Sequence, residues 1–180
     1  MRTFIAIPLP DEIKNYLFLL QKKLRLLLPA KVHWVAKKHL HLTLKFFGEL
    51  TDKEVAAVRQ SLSQITFQQF TLTLYSFGVF PSDQYVRVLW VGVTPLDSLR
   101  SLQQDVDAST ISFGKQEQEF KWHITLGRVK LVKDKESFAA QLKEVAIDQL
   151  SFAVNSFQLM QSVLSKDGPS YVVVEQFSLF

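Results

Sequence analysis

The sequence predicts an α+β protein in which a duplicated αβαββ unit forms two lobes, with antiparallel sheets that face a central cleft. Two observations predict this fold. Strand-like and helix-like periodicities recur in the same order in both halves of the chain. Two histidine tetrapeptides, residues 41–44 (HLTL) and 123–126 (HITL), also stand 82 positions apart. A period this long with two copies is typical of an internal duplication rather than of a solenoid.

The first half carries signals for a strand, a helix, a strand, a helix and a hairpin, at residues 3–9, 11–28, 40–47, 51–62 and 70–93. Asp11 is expected to cap the first helix. Thr51 and Glu54 form a capping-box pattern at the start of the second. The hairpin turn is predicted at the PSDQ segment, because proline, serine and aspartate favour turns.

The second half carries the same order of signals, at residues 95–108, 120–129, 134–146, 150–164 and 171–177, with Asp134 as a helix cap and a turn at residues 166–168. No linker or low-complexity stretch separates the halves. We therefore expect one two-lobed domain over residues 1–180. The first lobe is approximately residues 10–93, the second is residues 94–180, and the strand within residues 1–9 is not assigned to either lobe.

Composition excludes several classes of protein. Hydrophobic residues make up 47% and charged residues 21%, which is ordinary for a globular chain. The absence of cysteine excludes disulfides, thiolate nucleophiles and cysteine zinc sites. The opening apolar stretch is too short for a signal peptide and no segment is long enough to span a membrane, so we expect a cytoplasmic protein. A net charge of +4 gives a mild attraction to polyanions.

Alternation along a strand divides each tetrapeptide between a core face and a cleft face. The side chains expected in the core are those of Leu40, Leu42, Leu44, Phe46, Trp122, Ile124 and Leu126. The opposite face then carries His41 and Thr43 in the first repeat, and His123 and Thr125 in the second. A pseudo-twofold relation between the lobes would bring these four side chains to one cleft.

Two facing imidazoles suit an in-line displacement at phosphorus. A neutral imidazole can accept a proton from the attacking oxygen, and an imidazolium can donate one to the leaving oxygen. Threonine hydroxyls two residues further along can donate hydrogen bonds to the non-bridging phosphate oxygens. This scheme needs no metal and no cofactor.

Longer stretches around the tetrapeptides resemble the 2H phosphoesterase superfamily, and within it the RNA 2′,3′-cyclic phosphodiesterases, also called 2′-5′ RNA ligases. The matching stretches are residues 2–7 (RTFIAI), 39–48 (HLHLTLKFFG), 162–164 (SVL) and 168–171 (GPSY). The resemblance implies a LigT-like fold and hydrolysis of a terminal 2′,3′-cyclic phosphate on RNA, or on a small cyclic nucleotide, to a 2′-phosphomonoester. It implies that His41 is the proton donor and that His123 is the acceptor that activates water.

The resemblance also implies that Arg128 contacts the phosphate. Strict alternation places Arg128 on the face opposite His123, so this role requires a bulge or the end of the strand at Gly127. Trp122 occupies a position where relatives often carry proline, and core packing is favoured over base stacking there. His33, expected in a loop, and His39, expected at or before the strand's start, fit surface or packing roles better than substrate contact.

Several alternatives remain open. The same site could act on another cyclic or 2′-5′-linked nucleotide, and ligation could be a reverse side activity. A non-catalytic module that binds RNA ends is a second class. A zinc site is weaker, because two histidines without a third suitably spaced ligand fall short of the usual coordination. We expect a monomer.

Overall fold

The computed structural model describes residues 1–114, 121–165 and 168–180. Its strands are β1 (Arg2–Pro8), β2 (Ala30–Trp34), β3 (His41–Glu49), β4 (Phe70–Ser82), β5 (Tyr85–Thr94), β6 (His123–Val132), β7 (Ser151–Val154), β8 (Ser156–Ser165) and β9 (Gly168–Ser178). Its α-helices are α1 (Asp11–Leu27), α2 (Asp52–Leu62), α3 (Asp97–Ser109) and α4 (Lys135–Lys143). Residue 120 of a predicted strand and residues 166 and 167 of a predicted turn lie outside the described residues.

Sequence signals predict the caps of α2 and α4 correctly, but the cap predicted for α1 is wrong. The Thr51 side chain accepts from the Glu54 backbone N–H in a complete capping box, as predicted. The Asp134 carboxylate accepts from the Ser137 N–H at 3.0 Å and caps α4. Asp11 was expected to be a cap, but it is the first helical residue. Pro10 holds the cap position without a side-chain bond, so Asp11 instead places its charge beside the positive end of the helix dipole.

The described strands form one antiparallel sheet in the order β7-β4-β5-β6-β3-β1-β8-β9, and β2 pairs with β6. The predicted α+β fold is confirmed. Two short strands were not predicted. The segment of β2 was expected to be a loop, because five residues give little periodicity. The strand predicted over residues 150–164 is divided into β7 and β8 at Asn155.

Strand pairing crosses the midpoint of the sequence. β6, from the second half, pairs with β5 and β2 of the first half. β1 joins β3 of the first half to β8 of the second. The lobe limits expected at residues 93 and 94 stay a prediction, and each side of the sheet contains strands from both halves of the chain.

The apolar core lies between the helices and one face of the sheet. Leu17 of α1 and Leu99 of α3 are fully buried, as are Leu42 of β3 and Ile124 of β6. This core fixes which face of each central strand points away from the helices. Within the described ranges, no helix combines the length and the apolar character needed to cross a membrane.

Candidate active site

The two histidine strands meet at the centre of the sheet through the pair Leu42↔Ile124. Both side chains are fully buried in the core. Directly opposed residues share a face, and neighbours along each strand alternate. His41, Thr43, His123 and Thr125 therefore share the face away from the core. The structure brings together the four residues that the sequence analysis placed in one cleft.

Each imidazole is held in the same way. His41 Nδ1 lies 2.6 Å from the carbonyl oxygen of His39, two residues earlier, and His123 Nδ1 lies 2.5 Å from that of Lys121, also two residues earlier. Because a carbonyl can only accept, each Nδ1 must carry a proton and donate. This contact fixes the tautomer and leaves Nε2 as the nitrogen that can exchange a proton with a substrate.

Both histidine strands contain a β-bulge three residues after the histidine. In β3 the pairing with β1 passes from Thr43 to Lys45, which leaves Leu44 as the extra residue. In β6 the pairing with β5 passes from Thr125 to Gly127, which leaves Leu126 as the extra residue. A bulge places two successive residues against one partner residue, so alternation shifts by one from that point on.

The shift corrects one core prediction. Phe46 was expected in the core, but it is 64% exposed, whereas Lys45 is fully buried. Phe46 pairs with Phe4, and their rings lie 5.8 Å apart. The Phe4 ring also contacts His41, at 5.1 Å. Phe46 thus lies on the same face as the histidines, because the Leu44 bulge reverses the alternation.

The equivalent bulge affects Arg128. Leu126 and Gly127 are both buried, while Arg128 is exposed. A role for Arg128 at the site requires a bulge between His123 and Arg128. The structure contains this bulge at Leu126, and it moves the Arg128 side chain to the face of His123. The positive charge of Arg128 acts on both His123 and Tyr171. A contact between Arg128 and phosphate stays a prediction.

Burial keeps both histidines of the site largely unprotonated. Burial lowers the pKa of His41 to about 4. The hydrogen bond to the His39 carbonyl raises this pKa, and the charges of His39, His123 and Lys14 lower it further. Burial, with a smaller effect of Arg128, lowers the pKa of His123. Both imidazoles are therefore mainly neutral at pH 7 in the unliganded protein. A bound anion would raise the pKa of both histidines and so favour the protonated ring that a general acid requires.

Aromatic rings surround the two histidines, although local sequence patterns predict no role for them. The Tyr171 ring meets His41 edge-on at 5.3 Å and also contacts Phe4 at 5.1 Å. Around His123, Phe80 stands edge-on at 4.8 Å and stacks on Trp90 at 4.9 Å. The one available signal was the 168–171 stretch, which the sequence analysis matched to the family without assigning a function to its tyrosine.

The remaining candidates lie beside the site. His39 contacts the Tyr171 ring at 4.9 Å. His33 is exposed on β2, not in a loop as expected, and is paired with Arg128. Trp122 packs partly buried against the core, with the Arg100 guanidinium 5.7 Å from its ring centre, in agreement with the favoured packing role. Among the described residues, no group of three or more His, Asp or Glu side chains is arranged to hold a metal ion.

Comparison with known proteins agrees with this geometry. The model of the family described as LigT like phosphoesterase matches twice, at residues 7–90 and 91–171. A Thermotoga maritima protein named RNA 2′,3′-cyclic phosphodiesterase is 32% identical over 177 residues, 97% of this chain and 93% of that protein. One of the same name from Archaeoglobus fulgidus is 31% identical over 95% of this chain and 96% of its own length.

Solved structures agree as well. The crystal structure of Escherichia coli LigT complexed with 3′-AMP has a TM-score of 0.79 and 28% identity, and the match covers 99% of this chain and 97% of that one. Each half of the present chain matches the family model separately, as a duplication requires. The two histidines share one face of adjacent strands, and the family model matches nearly the whole chain. This chain therefore belongs to the LigT-like phosphoesterase family, a group of 2H phosphoesterases.

Proposed function

We propose that this protein is an RNA 2′,3′-cyclic phosphodiesterase that hydrolyses a terminal cyclic phosphate to a 2′-phosphomonoester. The observation that carries the proposal is the Leu42↔Ile124 pairing, which presents two identically held imidazoles on one face. Relatives at 31% and 32% identity that carry this enzyme name support the choice of substrate.

The proposed reaction uses one histidine on each side of the phosphorus atom. Neutral His123 takes a proton from water at Nε2 while the water oxygen forms a bond to phosphorus. The bond between phosphorus and the ribose 3′ oxygen breaks, and that oxygen receives a proton from Nε2 of protonated His41. The 2′ oxygen keeps the phosphate. Proton exchange with solvent then returns both rings to their starting states.

Three further side chains would bind the phosphate. Thr43 and Thr125 share the face of the histidines, where their hydroxyls can donate to non-bridging oxygens. Arg128 supplies a guanidinium, whose paired N–H groups fit two phosphate oxygens at once. The positive charges that lower the histidine pKa values in the empty site would also favour a phosphate anion there.

The test is incubation with a short RNA that ends in a 2′,3′-cyclic phosphate, followed by identification of the hydroxyl that retains phosphate. A 2′-phosphomonoester is expected, with the rate unchanged in EDTA because the scheme uses no metal ion. A 3′ product would reverse the leaving group, and loss of activity in EDTA would overturn the two-histidine scheme. RNA that binds without turnover would identify a non-catalytic end-binding module.

The same assay separates the remaining alternatives. Faster hydrolysis of a small cyclic nucleotide or of a 2′-5′-linked dinucleotide than of the RNA would favour that substrate. Formation of a 2′-5′ bond from RNA ends would demonstrate the ligase side activity, which is the reverse of cleavage at the same site. We further propose that the protein acts in the cytoplasm as a monomer, built as one domain with lobes at residues 10–93 and 94–180.

A further inference from the structure

Two buried glutamines occupy equivalent positions in the repeats. Gln21 of α1 is 2% exposed and Gln103 of α3 is 8% exposed. They are 82 positions apart, the same spacing as that of the histidines. Each lies on the buried face of its helix, directly after a buried leucine. A long polar side chain is rare in such a position unless its amide is hydrogen-bonded.

Both amides bind the backbone of a histidine strand in the opposite repeat. Gln21 Nε2 donates to the carbonyl oxygens of Leu126 and Val35, each at 2.8 Å. Gln103 Nε2 donates to the carbonyl oxygen of Leu44 at 2.9 Å. The glutamine from the first half therefore contacts the strand of His123, and the glutamine from the second half contacts the strand of His41.

The bound carbonyls belong to the two bulge residues. Leu44 and Leu126 are the residues at which the pairing of β3 and β6 skips a position. A bulge disrupts the pairing locally, and the Leu126 carbonyl here accepts from the Val35 N–H at 2.9 Å as well as from Gln21. Each glutamine supplies a donor from the helix layer at the point where the ladder is irregular.

The bulges determine what stands beside the histidines. A strand without the bulge at Leu126 would place Gly127 on the site face and turn Arg128 towards the core. A side chain at position 127 would force its neighbours to shift, because a Cβ there would lie 2.7 Å from the Val32 side chain and 3.1 Å from that of Trp34. Arg128 therefore faces the site as a joint result of the Leu126 bulge, the absence of a side chain at Gly127 and the contact with Gln21.

We propose that Gln21 is a positioning residue for Arg128, acting through the Leu126 bulge, and that Gln103 has the same relation to Phe46 through Leu44. Gln21 does not touch the substrate. It holds the backbone in the register that keeps the guanidinium beside His123. The catalytic part of this inference rests on the proposed function, because it requires Arg128 to contribute to hydrolysis.

The test is a double-mutant cycle between Gln21→Met and Arg128→Ala, assayed on RNA ending in a 2′,3′-cyclic phosphate. Methionine keeps the length of glutamine but cannot donate. In the wild-type background, Gln21→Met is expected to lower kcat/KM on the order of tenfold, because it removes both hydrogen bonds of the Gln21 amide and part of their energy holds Arg128 in place. In the Arg128→Ala background the same change is expected to have little further effect.

Gln103→Met is the matched control, since it removes an equivalent buried amide from the other repeat. Its effect should be the same with and without Arg128. Thermal unfolding establishes that each variant is folded at the assay temperature, and Gln21→Leu replaces Gln21→Met if the latter does not fold. Equal losses from Gln21→Met in both backgrounds would overturn the proposal, because they would show a merely structural role.

A second measurement does not depend on activity. The charge of Arg128 lowers the pKa of His123, so displacing the guanidinium should raise it. An NMR titration of His123 is expected to show a rise in Gln21→Met and Arg128→Ala, but none in Gln103→Met. No rise in Gln21→Met would overturn the positioning role. Unchanged hydrolysis in Arg128→Ala, with the rise present, would instead contradict the proposed phosphate contact alone.

Discussion

Leu42 of β3 lies opposite Ile124 of β6, and this apolar pair at the centre of the sheet sets His41 diagonally across from His123. Diagonal neighbours on adjacent antiparallel strands are about 7–8 Å apart, a separation at which two ring nitrogens can approach one phosphate from two sides. The interaction between the charges of the two rings agrees with this proximity.

Removing either imidazole should abolish most of the hydrolysis. His41→Ala and His123→Ala are each expected to lower kcat by roughly 10²–10⁴-fold, the usual contribution of one general acid or base. Binding of the RNA, measured by fluorescence anisotropy, should be largely retained. His33→Ala, which removes an exposed imidazole from β2, is the matched control. Activity near the wild-type level in His41→Ala would contradict the proposed proton donor.

Arg128→Ala should lower kcat/KM by roughly 10–100-fold, because a hydrogen bond to a charged group contributes about 1.5–3 kcal/mol. Arg128→Lys should restore this only in part, since an ammonium cannot bind two phosphate oxygens in the fork geometry of a guanidinium. Lys53→Ala removes one positive charge from the exposed side of α2 and should leave the rate near that of wild type. Full rescue by lysine would indicate that Arg128 supplies charge alone.

The dependence of kcat/KM on pH should be bell-shaped and shifted to acid. The pKa of His41 is lowered to about 4, and that of His123 is lowered from its usual value near 6.5. Since kcat/KM reports ionisations of the free enzyme, it should already decline at a pH below about 6.5, because His123 is then fully neutral while the fraction of protonated His41 keeps falling. In kcat, the bound phosphate should move this decline to higher pH. A kcat/KM that stays level up to pH 8 would contradict the assignment.

His41 should also make the folded state sensitive to acid. Its pKa is about 4 when folded and near 6.5 when unfolded, so the unfolded chain binds the proton more readily between these values. The stabilisation is complete above about pH 6.5 and is lost as the pH falls to 4, by at most about 3 kcal/mol. Urea unfolding at pH 7 and pH 4.5 should show a smaller pH effect in His41→Gln than in wild type. His33→Gln serves as the control, and an equal pH effect in His41→Gln would refute the prediction.

The buried Lys45 ammonium should depend on its carboxylate partner. Lys45 lies 2.5 Å from the Asp107 carboxylate of α3, with side-chain exposures of 1% and 31%. Asp107→Ala leaves the ammonium buried and unpaired, which should cost about 3 kcal/mol, the lower end for such pairs because Asp107 is partly exposed. Lys45→Met removes the charge itself and should cost less. Chemical denaturation of both variants measures this order, and the reverse order would show that the pair contributes net stability.

Much of the site followed from the sequence because its signals are local. Alternation of side chains is fixed by the covalent geometry of an extended chain, so it placed His41 with Thr43 and His123 with Thr125. The repeat of 82 positions indicated the duplication. Capping at Thr51 and Asp134 involves residues three apart in the chain, and both predictions are confirmed.

What the tertiary structure decided depends on contacts between distant parts of the chain. Alternation failed at Phe46 because the Leu44 bulge arises from pairing with β1, about forty residues earlier. The same kind of bulge brings Arg128 to the site, with a glutamine 105 positions before Leu126 bound to its carbonyl. By itself the sequence determined which residue types can do the chemistry and which neighbours share a strand face. Strand partners, bulges and the Tyr171 contact required the folded chain, because non-local pairing energies, not local periodicity, select them.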